Sequence, residues 1–175
     1  MLKIIGIVIV VLIALLLVIA ATKPDTFHLE RVTTIQAPAE KIFPLINDFH
    51  NWTAWSPWEK LDPALTRTYS GASEGPGAKY AWKGNSQVGE GTMEITDATA
   101  PSRVGIQLHF IKPFEATNQV EFTLEGQGDS TKVTWAMDGK NPFLSKVMQV
   151  FMSMDKMVGK DFESGLANLK AAAEK

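Results

Sequence analysis

Six short segments between residues 66 and 138 are strand candidates, most of them alternating apolar with polar side chains, and this pattern restricts the fold more than any other feature. Alternation is typical of β-strands with one buried face. The turns between the segments are shorter than the dozen or more residues that a parallel crossover needs. With residues 27–35, which also have strand composition, the sequence predicts an antiparallel sheet of about seven strands. The six segments are residues 66–70, 78–83, 89–97, 103–111, 115–125 and 131–138.

A long amphipathic stretch follows the last predicted strand. Apolar residues recur at helical spacing from residue 142 to residue 170, which predicts one long helix whose apolar face covers the sheet. Gly159 and Gly165 lie inside this helix. Each costs roughly 1 kcal/mol relative to Ala, so we expect close packing at both positions. The predicted fold class is α+β, with a curved antiparallel sheet wrapped on a long C-terminal helix.

Residues 4–21 form an uncharged run of Ile, Val, Leu and Ala, interrupted only by Gly6. At about 1.5 Å per residue the run reaches roughly 27 Å, enough for the hydrocarbon core of a bilayer. We interpret it as an uncleaved transmembrane anchor. A cleaved signal peptide is the alternative, because residues 18–21 resemble a small-residue cleavage site, although the run exceeds the roughly 7 to 15 residues usual for such peptides.

The domain organisation follows from this run. Residues 1–22 are the predicted transmembrane anchor, residues 23–26 a juxtamembrane linker and residues 27–175 the folded domain. The amino terminus and Lys3 lie on one side of the anchor, and neighbouring acidic residues offset Lys23 and Arg31 on the other, so we expect the N-terminus inside and the domain outside the cytoplasm, on the periplasmic side. The chain has no Cys, which excludes disulfides and thiolate chemistry but is compatible with either side of the membrane.

Composition and motifs exclude several functions. The net charge is −2 and the Lys and Arg residues are scattered, so they form no basic patch and nucleic acid is not an expected partner. His28, His50 and His109 lack metal-ligand spacing. The glycine-rich turns match neither a phosphate-binding loop nor a dinucleotide fingerprint. The sequence therefore predicts no metal site, no cofactor and no recognisable catalytic residues.

The apolar faces of the sheet and the helix supply the candidate ligand-binding residues. Methionine is flexible and polarizable, so a wall rich in Met adapts to varied apolar ligands. The alternative is that these side chains fill an ordinary core. Trp55 and Trp58 are predicted at the mouth of the cavity, or else they pack the short helices against the sheet edge. The predicted lining residues are Tyr80, Trp82, Met93, Phe110, Phe122, Trp135, Met137, Phe151, Met154, Met157 and Phe162.

The order of these elements resembles a known superfamily. Residues 35–43, which open a short helix after a strand, the Trp-rich residues 51–58 and residues 132–135 in the last strand carry the resemblance. They are similar to the helix-grip fold of the polyketide cyclase, START-like (SRPBCC) superfamily. The resemblance implies a hydrophobic ligand between sheet and helix. Members include cyclases, lipid or quinone carriers and co-chaperones, so the fold does not settle function.

Three functions are consistent with the sequence. The leading hypothesis is a single-pass membrane protein, anchored through residues 4–21, whose domain binds a hydrophobic small molecule such as a lipid, isoprenoid or quinone without catalysis. The second is a cyclase/dehydratase-like or hydrolytic enzyme of the same fold. The third is a protein-interaction module with a closed core, whose protein partner the sequence does not identify.

Overall fold

The computed structural model describes residues 1–175, apart from the side chain of Leu2. Four α-helices and seven strands make up the chain, and two short 3₁₀ helices, Phe49–Ala54 and Pro57–Lys60, follow α2. The elements are α1 Leu2–Ala21, β1 Thr26–Ile35, α2 Ala39–Asn47, β2 Thr66–Gly71, β3 Ala78–Lys83, β4 Glu90–Thr99, β5 Arg103–Lys112, β6 Ala116–Gln127, β7 Ser130–Lys140, α3 Phe143–Phe151 and α4 Met154–Ala173.

The seven strands form one sheet in the order β1-β7-β6-β5-β4-β3-β2, with every neighbouring pair antiparallel. The predicted α+β helix-grip architecture is confirmed. Two register shifts between β4 and β5 interrupt the ladder, and irregularities of this kind bend a sheet. The concave face lies towards α2, the 3₁₀ helices and α4.

The ladder register places several connections at one end of the sheet, which we call the α1 end. Here α1 joins β1, β7 leads into α3, and two turns connect β3 to β4 and β5 to β6. The remaining turns and the C-terminus of α4 lie at the opposite end, where the side chain of Glu174 accepts a hydrogen bond from Gln36 N. The pairs that close the α1 end are Thr26–Lys140, Asn118–Gly139, Phe110–Ala116, Glu90–Lys112 and Lys83–Glu90.

The prediction of one unbroken C-terminal helix is wrong. Met152 has extended backbone angles, and Ser153 caps α4 by accepting a hydrogen bond from Lys156 N at 3.3 Å. Serine competes with the helix for backbone hydrogen bonds and favours the N-cap position. The stretch therefore divides into α3 and α4, and the two helices have different neighbours: α3 lies beside α1, whereas α4 packs on β1 and on the second 3₁₀ helix.

Helix α1 is long and apolar enough to cross a bilayer between Lys3 and Ala21, a property that an N-terminal signal sequence shares. Most of its side chains are exposed, but Ala20 is fully buried where the helix meets the rest of the molecule. The next strand begins at Thr26, the last residue of the predicted linker. The folded part therefore starts within a few residues of the end of α1.

The core is filled by aromatic side chains at its centre. Trp55 is fully buried, donates from Nε1 to Leu45 O at 2.8 Å, and meets Phe122 edge-on with ring centroids 5.9 Å apart. Trp52 donates to Ile46 O at 2.9 Å. Both indoles thus satisfy carbonyls in the last turns of α2, and they fix the two 3₁₀ helices against the sheet. This part of the concave face is closed.

Candidate ligand-binding cavity

A cavity of about 430 Å³ remains between α4 and the part of the sheet that the 3₁₀ helices do not fill. Small-molecule pockets occupy roughly 300–1,000 Å³ and are mainly apolar, and this cavity matches both properties. The structure brings together nine of the residues singled out from the sequence. They are Trp58, Tyr80, Trp82, Met93, Phe110, Trp135, Met137, Met157 and Phe162.

Four of the sequence-predicted site residues lie elsewhere. Trp55 is in the closed core and not at a mouth, and Phe122 has no exposed surface because Trp52, Trp55 and Trp135 cover it. Phe151 is on α3 and is 75% exposed. Met154 begins α4 and packs against the core without lining the cavity. The break between α3 and α4 explains the last two cases, because it redirects α3.

Trp82 forms one wall of the cavity, and its position depends on a glycine. Its partner in the ladder is Gly91, where a Cβ atom would meet the ring of Trp82 and lie 2.6 Å from His109 O. Trp82 therefore lies flat across the neighbouring strand. It donates from Nε1 to Val88 O at 2.9 Å and meets Phe110 edge-on. The hydrogen bond ties the β3–β4 turn to the wall.

Trp135 is at the inner end of the cavity. Its ring stacks between Phe162, at a centroid distance of 4.1 Å, and Phe122, at 4.9 Å. Within the described part of the chain, its buried Nε1 has no hydrogen-bond partner. A Cβ at Gly165 would lie 2.6 Å from Trp135 Cζ3, so the absence of a side chain there lets α4 approach the sheet. The expected close packing at Gly165 is confirmed.

Sequence reasoning missed a polar group in the cavity wall. Glu59 lines the cavity, and its carboxylate accepts from Tyr80 Oη at 2.7 Å and from Arg67 Nε at 2.5 Å. Its side chain is only 6% exposed. Arg67 also donates to the backbone carbonyls of Glu59 and Leu65. The three side chains form a closed network in which the buried carboxylate is both paired and hydrogen-bonded, as a buried charge requires.

This network holds Tyr80 as a neutral hydrogen-bond donor. Burial, together with the hydrogen bond to Glu59, raises the pKa of the Tyr80 hydroxyl well above its usual value. Both oxygens of Glu59 already accept hydrogen bonds, one from Tyr80 and one from Arg67. The arrangement therefore suits a network that holds the cavity wall in position better than one that transfers protons.

Asp161 is the second carboxylate of the lining. It lies on α4 one residue before Phe162 and makes no hydrogen bond or ion pair with the described residues. Burial raises the pKa of this carboxyl, because transfer out of water disfavours the charged form. Asp161 thus presents an unengaged acceptor to the cavity.

The mouth of the cavity lies at the α1 end of the sheet. The β3–β4 turn contributes Ser86, Gln87, Val88 and Gly89, and the β5–β6 turn contributes Pro113. Next to Pro113, the side chain of Phe114 is 58% exposed. Two turns at this end therefore form the rim through which a ligand would pass.

A second depression, of about 420 Å³, lies on the convex face of the sheet. It is lined largely by polar side chains, at the strand positions that point away from the concave face. Its guanidinium, Arg103, is held by Asp97 at 2.5 Å and Glu121 at 2.6 Å. Because charged and polar side chains line this depression, the concave cavity is the better candidate for an apolar ligand.

The sequence matches a family model over residues 26–174, from the first residue of β1 to just beyond α4. That model describes polyketide cyclase / dehydrase and lipid transport proteins. The chain belongs to this family. The polyketide cyclase / dehydrase and lipid transport match leaves out α1, so the apolar N-terminal helix lies outside the family domain. No curated protein sequence matches the chain.

Solved structures with the same fold come from plants and bacteria. Ginseng major latex-like protein 151 from Panax ginseng is 13% identical, with a TM-score of 0.62, and the match covers 87% of this chain and all of that one. A protein from Thermobifida fusca is 19% identical, with a TM-score of 0.62, over 83% and 92% of the two chains. The Aha1 dimer from Colwellia psychrerythraea is 18% identical, with a TM-score of 0.57, over 85% and 96%. At these identities the likeness concerns the fold alone.

Proposed function

We propose that this protein is a membrane-anchored module that binds a hydrophobic small molecule in the cavity between sheet and α4, taking it from or delivering it to the bilayer. The observation that carries the proposal is the position of the cavity mouth. The turns that form the rim lie at the same end of the sheet as α1. If α1 spans a bilayer, the mouth faces the surface of that bilayer.

Helix α3 supports this orientation. It begins at the α1 end, lies beside α1, and exposes large apolar side chains, among them Phe143, Leu144, Met148 and Phe151. Its one buried charge, Lys146, pairs with Asp25 at 2.5 Å just after α1. Amphipathic helices of this kind lie in the interface with the apolar face inserted about 5–10 Å. We infer that α3 and Phe114 rest on the bilayer around the cavity mouth.

The lining supports an apolar ligand. Aromatic and Met side chains surround most of the cavity, and Met93, Met137 and Met157 supply adaptable contacts from three different elements. An anchored module also meets a membrane-dissolved ligand at high effective concentration. We therefore propose ligand binding as the function of the cavity.

Quenching of tryptophan fluorescence tests the proposal. The chain has five tryptophans, of which Trp52, Trp58, Trp82 and Trp135 line the cavity. The full chain, in phosphatidylcholine nanodiscs, is titrated with 11-bromoundecanol, a neutral amphiphile whose bromine quenches indole at short range. We expect saturable quenching that exceeds the linear contribution from the bilayer.

A narrowed cavity provides the control. Val120 and Val158 line the cavity from the sheet and from α4, so Val120→Phe combined with Val158→Phe reduces its volume from both sides. The saturable component should fall at least severalfold in this double variant, and by less in Val158→Phe alone. Met148→Phe adds similar bulk on α3 outside the cavity and should leave it unchanged. Equal quenching in all of these proteins would contradict the proposal.

A further inference from the structure

The charged groups of the cavity lining are all of one sign. Glu59 and Asp161 are the two ionisable carboxyls of the lining, and among the described residues the lining contains no Lys, Arg or His. The nearest cation by contact, Arg67, lies behind Glu59 and is held there by three acceptors. Its charge offsets that of Glu59, which leaves Asp161 as the uncompensated charge of the wall.

Three hydrogen-bond donors of the wall are occupied by the protein itself. The Tyr80 hydroxyl donates to Glu59, the Trp82 indole to Val88 O and the Trp52 indole to Ile46 O. The indole Nε1 of Trp135 has no partner among the described residues and is a donor that a ligand could meet. A ligand also finds acceptors, and the only charged ones are carboxylates: that of Asp161 is unengaged, and each oxygen of Glu59 retains a free lone pair.

We propose that the cavity selects apolar molecules whose polar end is neutral or cationic and donates hydrogen bonds, and that it rejects carboxylates such as free fatty acids. This inference rests on the proposed function and specifies the ligand class for the same site. A hydroxyl or an ammonium group would donate to Asp161 or Glu59. A carboxylate would face like charge in a poorly hydrated space, where repulsion is much stronger than in water.

Three ligands with one tail and different polar ends test the inference. The full chain in phosphatidylcholine nanodiscs is titrated at pH 8 with 11-bromoundecanol, 11-bromoundecylamine and 11-bromoundecanoic acid. The same titration is carried out on the Val120→Phe, Val158→Phe double variant, and its quenching is subtracted. The subtraction removes the quenching that comes from ligand partitioned into the bilayer. We expect the alcohol and the amine to give saturable quenching at ligand concentrations at least about tenfold lower than those that the acid requires.

Removing the uncompensated charge of Asp161 should reduce the difference between the acid and the other two ligands. Asp161→Asn is expected to strengthen quenching by the acid severalfold and to weaken quenching by the amine, while the alcohol changes little. The control is Asp129→Asn, which removes the same charge from an exposed turn at the opposite end of the sheet. This control should leave the order of the three ligands as in the unmodified chain.

The outcomes separate this inference from the proposed function. If the acid quenches as well as the alcohol, or if Asp161→Asn changes nothing, the ligand class is wrong while the cavity still binds apolar molecules. If none of the three ligands gives a saturable component that the double variant loses, the proposed function fails. The expected order, shifted by Asp161→Asn but not by Asp129→Asn, would support both.

Discussion

Trp135 and Phe162 stack face to face across the sheet–helix interface, with ring centroids 4.1 Å apart and an interplanar angle of 15°. The stack forms the inner end of the cavity and joins β7 to α4. It requires close approach of the helix, which Gly165 permits one turn further along. The cavity is therefore bounded on its inner side by a tightly packed contact.

Gly165→Ala should destabilise the protein. The added Cβ would lie 2.6 Å from Trp135 Cζ3 and 3.2 Å from Pro57 Cδ, both in well-packed surroundings. Overpacking of this kind costs about 1–3 kcal/mol, which outweighs the roughly 1 kcal/mol that Ala gains over Gly in a helix. Denaturant unfolding of the full chain should show a lower free energy of unfolding.

Gly159→Ala is the matched control in the same helix. Its Cβ would meet Nη2 of Arg31, the end of a flexible side chain that forms exposed ion pairs with Asp155 and Glu163. Such pairs contribute about 0–1 kcal/mol, so displacement of Arg31 should be nearly offset by the gain in helix propensity. If Gly165→Ala were as stable as Gly159→Ala, the close contact with Trp135 would not limit packing.

Tyr80→Phe should destabilise the fold by about 1–3 kcal/mol, because it removes one of the two side-chain donors that satisfy the buried Glu59 carboxylate. Thermal or denaturant unfolding measures the loss. Tyr69→Phe is the control, since Tyr69 is the other tyrosine of the chain and makes no side-chain hydrogen bond within the described residues. If Tyr80→Phe lowered the free energy of unfolding no more than Tyr69→Phe does, the network of Tyr80, Glu59 and Arg67 would be contradicted.

Alkaline pH should weaken the fold through the same side chain. The pKa of Tyr80 is raised in the folded protein, so the folded state retains a proton that the unfolded state releases near pH 10. Stability is then fully present below about pH 10 and falls as the pH rises further. Unfolding followed between pH 8 and pH 11 should show this decline. Tyr80→Phe should reduce the slope, and an unchanged slope would exclude Tyr80 as its source.

The alternation in the strands was sufficient to predict the sheet and the side that faces inward, but it could not say what covers each residue. Val120 and Phe122 share parity on β6, yet only Val120 lines the cavity. Phe122 is covered by Trp52 and Trp55, whose position depends on hydrogen bonds to the end of α2. Parity identifies a face, and only tertiary packing decides between core and cavity.

The polar part of the cavity was hidden for a different reason. Glu59 lies in a short 3₁₀ helix, where no apolar periodicity shows which side chains turn inward. Its partners Arg67 and Tyr80 lie on two later strands. The break at Ser153 was missed because the apolar spacing of residues 142–170 continues through it. A serine followed by Asp155 in the next turn was the available signal for a new helix start.

Helix α3 should lie in the surface of the bilayer. The chain contains no cysteine, so Phe151→Cys and Phe114→Cys each create a single labelling site at an exposed apolar position. An environment-sensitive fluorophore attached there should show blue-shifted emission in phosphatidylcholine nanodiscs, and lipids brominated along the acyl chain should quench it.

The control site for this labelling is Ser73→Cys, which is exposed in the β2–β3 turn at the opposite end of the sheet. The same fluorophore at this position should report a water-like environment and resist quenching by brominated lipid. If all three sites were equally accessible to water-soluble quenchers, the mouth of the cavity would not face the bilayer.

Native mass spectrometry of the full chain released from nanodiscs tests most directly whether the cavity holds a membrane-derived molecule. The account predicts a bound apolar compound on the unmodified chain and on Met148→Phe. Occupancy should be much lower on the Val120→Phe, Val158→Phe double variant, once the unmodified chain and the double variant have both been shown to be folded. A chain that is consistently released without a bound molecule, or equal occupancy in the double variant, would contradict the central claim.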